Sequence, residues 1–162
     1  MIVSGTGVPA ELFFEDIPAG QVFDLGTTVI DRDEMLAFAR RFDPQWYHVD
    51  EEAARRSPLG DVIASGFFTA SLFMRAYADH VLARAAANAS PGMEELRWFA
   101  PVYAGDVLRG SLEVLAASES TARPGNGTLQ LRATLTRESD GKIVFATTFR
   151  GWFHRRPVAG ES

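Results

Sequence analysis

A carboxylate and an imidazole stand five residues apart in the run Phe42-Asp43-Pro44-Gln45-Trp46-Tyr47-His48-Val49-Asp50. Asp43 and His48 suit proton transfer, because either group accepts or donates near neutral pH once burial and the other have tuned it. An unperturbed histidine titrates at about 6.5, so modest shifts are sufficient. Fifteen residues after His48 begins Ile63-Ala64-Ser65-Gly66-Phe67-Phe68, a small-residue turn that opens a helix. The first amides of a helix lack intrahelical partners, and the dipole there favours negative charge. Gly66 offers such an amide with no side chain to keep a carbonyl away. An acid/base pair beside backbone donors points to proton transfer at a carbon activated by a carbonyl.

Each of these residues also has a plainer reading. Taken locally, Asp43 before Pro44 is a helix end and turn, and His48 alone is a hydrogen-bonded structural histidine. Ser65 serves equally well as a helix cap or as a hydrogen-bond donor in a site. Asp50 reads as an N-cap. His80 and His154 read as surface residues, and Arg155-Arg156 as a solvated terminus rather than a phosphate site.

The elements that must position the pair follow from periodicity. Val22–Ile30 is rich in β-formers. Asp31, with Glu34 three residues on, forms a capping-box start for a helix carrying Met35, Leu36, Phe38, Ala39 and Phe42. Pro44 ends that helix near Asp43, because the residue before a proline avoids the helical region. Asp50 caps a short helix over Glu51–Arg56, and Ser57-Pro58-Leu59-Gly60 breaks it. The longest helical pattern covers residues 67–87. Phe67–Met74 is uncharged, so that half is expected to be buried on all sides, wrapped by a sheet.

The second half of the chain is β. Strands are expected over Met93–Phe99, Val107–Ala116, Leu129–Thr136 and Lys142–His154, with turns at Pro124-Gly125-Asn126-Gly127 and Asp140-Gly141. Strands segregated from helices imply an α+β fold. Five antiparallel strands wrapped around one long central helix make a single hotdog fold. One domain is expected over 1–162, with residues 1–10 as a loose N-terminal arm.

Composition excludes several functions. A net charge of −5 leaves no basic footprint for nucleic acid or anionic lipid. Without cysteine there is no thiol nucleophile, disulfide or zinc ribbon. Three scattered histidines give no metal-ligand spacing. No Gly-rich phosphate loop, nucleophile elbow or dinucleotide fingerprint occurs, so no metal and no cofactor is expected. No run reaches the length of a membrane span and no signal peptide is visible; a cytoplasmic protein is expected.

Three stretches resemble the MaoC-like family of hotdog hydratases and dehydratases, which includes (R)-specific enoyl-CoA hydratases. They are Phe42-Asp43 with His48-Val49-Asp50-Glu51-Glu52-Ala53-Ala54; Leu59-Gly60-Asp61-Val62-Ile63-Ala64-Ser65-Gly66; and the strand-turn-strand Leu96 to Leu108 around Pro101-Val102-Tyr103-Ala104-Gly105-Asp106. The match runs in order through residues 13–156. The best-known hydratases carry Asp-x-Asn-Pro-x-His; here Gln45 replaces the asparagine and the proline directly follows the aspartate.

The resemblance implies a lyase that adds water to an enoyl ester of coenzyme A, or removes it from a 3-hydroxyacyl ester, in fatty acid metabolism. It implies Asp43 and His48 as the catalytic pair, Gly66 as the oxyanion donor with Ser65 beside it, and an acyl-CoA substrate. It also implies a homodimer with the acyl tunnel near the interface. Gly66→Val is then expected to abolish turnover by blocking the thioester. The competing readings are an acyl-CoA thioesterase and a non-catalytic acyl-CoA binding subunit.

Overall fold

In a computed structural model, which describes residues 1–157, the five expected strands form one antiparallel sheet. They are β1 (Val22–Val29), β2 (Gly92–Trp98), β3 (Val107–Glu119), β4 (Asn126–Arg137) and β5 (Ile143–His154). Their order in the sheet is β1-β3-β4-β5-β2. Alternation sets the faces: Leu129, Leu131, Ala133 and Leu135 of β4 point inward and are buried, while Arg132 between them is exposed. The β4–β5 hairpin turns at Asp140-Gly141, where Gly141 takes φ +69°. Residues 158–162 of the expected domain lie outside the described residues.

Between β1 and β2 lie four helices: α1 (Arg32–Phe42), α2 (Trp46–Val49), α3 (Glu51–Arg55) and α4 (Gly66–Tyr77). Asp31 caps α1 by accepting from the Glu34 amide, and Asp50 caps α3 by accepting from the Ala53 amide. Helix α4 lies in the hollow of the sheet, as the hotdog arrangement requires. Phe68, Phe73 and Tyr77 are buried, and Phe73 meets the rings of Phe145 and Phe149 at 5.8 Å each. No helix among the described residues is long and apolar enough to cross a membrane.

Two expectations need correction. The uncharged start of α4 is not buried on all sides: Phe67 is 62% and Met74 44% exposed. The sheet wraps one flank of the helix, and the other flank opens beside the edge strand β2. The long helix is also shorter than its pattern. It ends at Tyr77 and runs through a π-turn (Ala78–Leu82) into extended chain. The alanines that follow favour a helix, but their backbone pairs with the sheet: the His154 amide donates to Ala86 O at 2.8 Å and the Asn88 amide to Trp152 O at 2.8 Å. Tertiary hydrogen bonds override helix propensity there. Residues 1–10, most of them exposed, touch the rest of the chain at a few points. Ser4 is buried, the Gly5 amide donates to Leu82 O at 2.9 Å, and Val3 pairs with Pro9.

The Pro101–Asp106 turn between β2 and β3 is held by charge. Asp106 accepts from the Tyr103 amide at 2.9 Å and from Arg137 at 3.2 Å, while Arg137 also binds Asp140 and Pro101 O. Gly105 takes φ +86°, so its amide reaches Ile30 O at 2.8 Å. These residues of the third motif fix the turn that carries Ala100–Val102 along the wall of the main cavity.

Candidate active site

Helix α1 ends where Pro44 begins, and the chain turns at once into α2, a single turn of helix. The Asp43 amide closes α1 onto Ala39 O at 2.9 Å, and the His48 amide donates to Gln45 O at 2.8 Å. This one turn swings His48 back over the end of α1. His48 Nε2 lies 3.3 Å from Asp43 Oδ2. The imidazole is almost fully buried, with 6% of its side chain exposed, and Asp43 keeps 22%.

The other ring nitrogen fixes the tautomer. His48 Nδ1 lies 2.7 Å from Ile63 O, an atom that only accepts, so Nδ1 carries a proton. Nε2 therefore faces the Asp43 carboxylate either as a second N–H or as a lone pair. At 3.3 Å no water fits on the line between the two atoms, and a proton shared by them would make the contact a hydrogen bond. Ile63 is itself anchored: its amide donates to Tyr47 O at 3.0 Å.

Ser65 is fully buried at the N-cap of α4 but makes no capping bond. Its hydroxyl donates to Asp43 Oδ2 at 2.7 Å. The side chain is therefore not the cap of α4; it is turned towards Asp43. Gln45 Nε2 donates to the other carboxylate oxygen at 2.7 Å, and the Tyr47 hydroxyl donates to Gln45 Oε1. The Ser65 bond first, then the Gln45 bond and the nearby His48, hold the Asp43 carboxyl below its ordinary range, with partial burial opposing them.

Gly66 opens α4, and its amide has no hydrogen-bond partner among the described residues. Asp43, His48, Gly66 and Thr69 line a cavity of about 600 Å³, walled by Ile63, Phe67, Trp98 and Val102. Across it, Trp98 donates its indole N–H to Gly66 O at 2.7 Å. A Cβ built on Gly66 would lie 2.6 Å from the Trp98 ring. The glycine is thus required by the indole packed on it, and Gly66→Val would displace Trp98 whether or not a thioester approaches. That substitution therefore does not isolate the oxyanion role.

The remaining candidates lie elsewhere. Asp50 is a helix cap, and His80 is exposed beside Gly26. Arg155 pairs with Glu15 and Glu119, and Arg156 with Asp16, so these cations anchor the end of β5 to the N-terminal turn. Neither lines the cavity. Sequence reasoning missed the roles of Gln45, Tyr47 and Trp98. Trp46-Tyr47-His48-Val49 is a β-forming string with no helical signal, so nothing in it announces the turn that points Gln45 back at Asp43.

Several known proteins resemble this chain. Residues 16–136 match the family model described as MaoC like domain. The chain is 32% identical over 101 residues to the uncharacterized protein YdeM of Bacillus subtilis, covering 62% of this chain and 72% of that one. It is 32% identical over 114 residues to 3-hydroxyacyl-thioester dehydratase Z of Mycobacterium tuberculosis, covering 69% and 73% of the two. The crystal structure of the MaoC-like dehydratase from Rhodospirillum rubrum matches with a TM-score of 0.83 at 35% identity, over 91% of this chain and 100% of that one.

Proposed function

This chain belongs to the MaoC-like domain family, and on that premise we propose that it is a hydro-lyase acting on an enoyl or 3-hydroxyacyl ester of coenzyme A. Asp43 and His48 are its acid/base pair, and the Gly66 amide is the donor to the thioester oxygen. The observation that carries the reading is the 3.3 Å approach of His48 Nε2 to Asp43 Oδ2 in the cavity that also holds the free amide of Gly66. The names of two relatives, both dehydratases, support the reaction class.

The chemistry follows from the proton count. The pair holds one proton between Nε2 and Oδ2. A water bound by the pair attacks C3 of the enoyl group and gives a proton to one member. The other member delivers its proton to C2. The O–C3 and H–C2 bonds form as the C2–C3 π bond is lost, and the pair ends with one proton, as it began. Negative charge that builds on the thioester oxygen is met by the Gly66 amide at the positive end of α4. Dehydration is the same path in reverse. The hydrogen bonds to Asp43 keep it ionised and ready to accept.

We also propose that the chain acts as one domain and pairs with a second copy along β2. This strand is at the sheet edge, with one side of its backbone unpaired. Trp98 and Phe99 stand 42% and 58% exposed there, next to the open flank of α4 with Phe67 and Met74. A homodimer would cover this surface.

An absorbance assay with crotonyl-CoA and longer enoyl-CoAs tests the reaction. Asp43→Asn and His48→Ala are each expected to lower kcat/KM by about 10²-fold or more while leaving the circular dichroism spectrum unchanged. Full activity in both variants would refute the reading. Release of free coenzyme A from a saturated ester, without hydration, would establish the thioesterase instead.

A further inference from the structure

We propose that Gln45 and Tyr47 are positioning residues that hold the Asp43 carboxylate through a relay running from the Tyr47 hydroxyl to the Gln45 amide to Asp43 Oδ1. The proposal rests on the acid/base reading given above. It assigns a role to the stretch in which this chain departs from the Asp-x-Asn-Pro-x-His pattern.

The relay is directional. Gln45 Nε2 donates to Asp43 Oδ1 at 2.7 Å. An amide presents its NH₂ to a carboxylate only if its oxygen faces away, and that oxygen accepts from the Tyr47 hydroxyl. Tyr47 thus settles which way the Gln45 amide points. Its ring is held in turn, edge-on to the His48 imidazole at a centroid distance of 4.4 Å. Ser65 occupies Oδ2 from the opposite side at 2.7 Å. With one donor on each oxygen, the carboxylate cannot rotate about its Cβ–Cγ bond without breaking a bond, and Oδ2 stays aimed at His48 Nε2.

The relay is local. Gln45, directly after Pro44, is extended (φ −74°, ψ 144°) and stands two residues from the carboxylate it must reach. Gln45 and Tyr47 both line the main cavity with Asp43 and His48.

Few other charges compete for Asp43. From α2 it faces His48, and from the start of α4 it faces Ser65, which is neutral. The aromatic rings of Phe38, Phe42 and Phe67 border it on the α1 side. Arg41, on the same helix, stacks its guanidinium over the Phe42 ring at 4.9 Å. The two neutral donors therefore weigh heavily on the protonation of the pair.

The test is the pH dependence of Gln45→Met, Tyr47→Phe and the double variant. Removing a donor to the carboxylate favours its protonated form, so the acidic limb of kcat/KM moves to higher pH. Loss of one charge-assisted hydrogen bond predicts that Gln45→Met loses about ten-fold more kcat/KM below the limb than on the plateau. Tyr47→Phe moves the limb the same way by less, because the amide keeps its donor but loses its orientation. The double variant matches Gln45→Met, since Tyr47 acts only through the amide.

A loss that is equal at every pH, or additive effects of the two substitutions, overturns the relay. Carbon NMR of the Asp43 carboxyl reads the same displacement in the ligand-free protein. If Gln45→Met leaves that titration unmoved while Asp43→Asn is inactive, the relay falls and the acid/base reading stands. If Asp43→Asn turns over normally, the acid/base reading falls and the NMR titration still decides the relay.

Discussion

Ser65→Ala separates two roles for one buried hydroxyl. A serine at the start of a helix ordinarily caps it, and losing a cap costs about 1 kcal/mol at any pH. Here the hydroxyl bonds Asp43 Oδ2 at 2.7 Å and no helix amide. A hydrogen bond to an ionised group contributes about 1.5–3 kcal/mol, and a neutral one about 0.5–1.5. Asp43 is partly exposed, so the lower end applies, about 1.5–2 kcal/mol at pH 7. Unfolding entropy of about 2.1 cal/mol/K per residue, over 162 residues, converts this to a Tm lower by about 4–6 °C. The sign with pH follows from the direction of the shift. The folded-state carboxyl is held below its ordinary value, by Ser65 above all. Its stabilisation is fully present above the unfolded pKa of about 3.9 and is lost as pH falls through the folded value. The wild-type advantage over Ser65→Ala should therefore be constant from pH 7 to about 5 and shrink by roughly half towards pH 3. Calorimetry of both proteins across that range measures it. A Tm difference that does not change with pH would refute the charge-assisted bond and return Ser65 to the role of a cap.

Other perturbations probe the frame around the site. Arg137→Ala leaves Asp106 and Asp140 without their shared cation, and with the Arg137 side chain only 12% exposed it should cost about 2–3 kcal/mol, read as a lower urea midpoint with an unchanged m-value. Arg32 forks onto Asp61 with two bonds of 3.0 Å each; because the two side chains are 34% and 40% exposed, Arg32→Ala should cost only about 0.5–1 kcal/mol, shrinking in 1 M salt. Gly66→Ala should displace the Trp98 ring and shift its fluorescence without substrate, and Trp98→Phe in the same chain should relieve the crowding. Light scattering should give a dimer mass for the wild type, and a charge placed by Phe99→Asp should shift it towards the monomer.

Much of the frame was legible because local chemistry and fold agree. The alternation of β4, the Asp31 and Asp50 caps and the Asp140-Gly141 hairpin each follow a rule set within a few residues. The long helix was overextended because Ala83–Ala87 has helical composition but pairs with β5 and the N-terminal segment. The exposure of Phe67 was hidden because an uncharged helix does not reveal which of its flanks a sheet will cover.

The sequence by itself determined the ingredients of the site: a carboxylate at the end of one helix, an imidazole five residues on, and a glycine opening another. It also determined the fold class, since period-two strands and capped helices are written in nearest neighbours. Only the tertiary structure decided how those residues are arranged. The single turn of α2 aims His48 at Asp43, the carbonyl of Ile63 fixes its tautomer, and the Ser65 hydroxyl leaves its helix to hold the carboxylate. The last two depend on hydrogen bonds between segments that lie far apart in the chain. A partner atom 15 or 22 residues away leaves no mark on local composition, whereas a cap three residues away does.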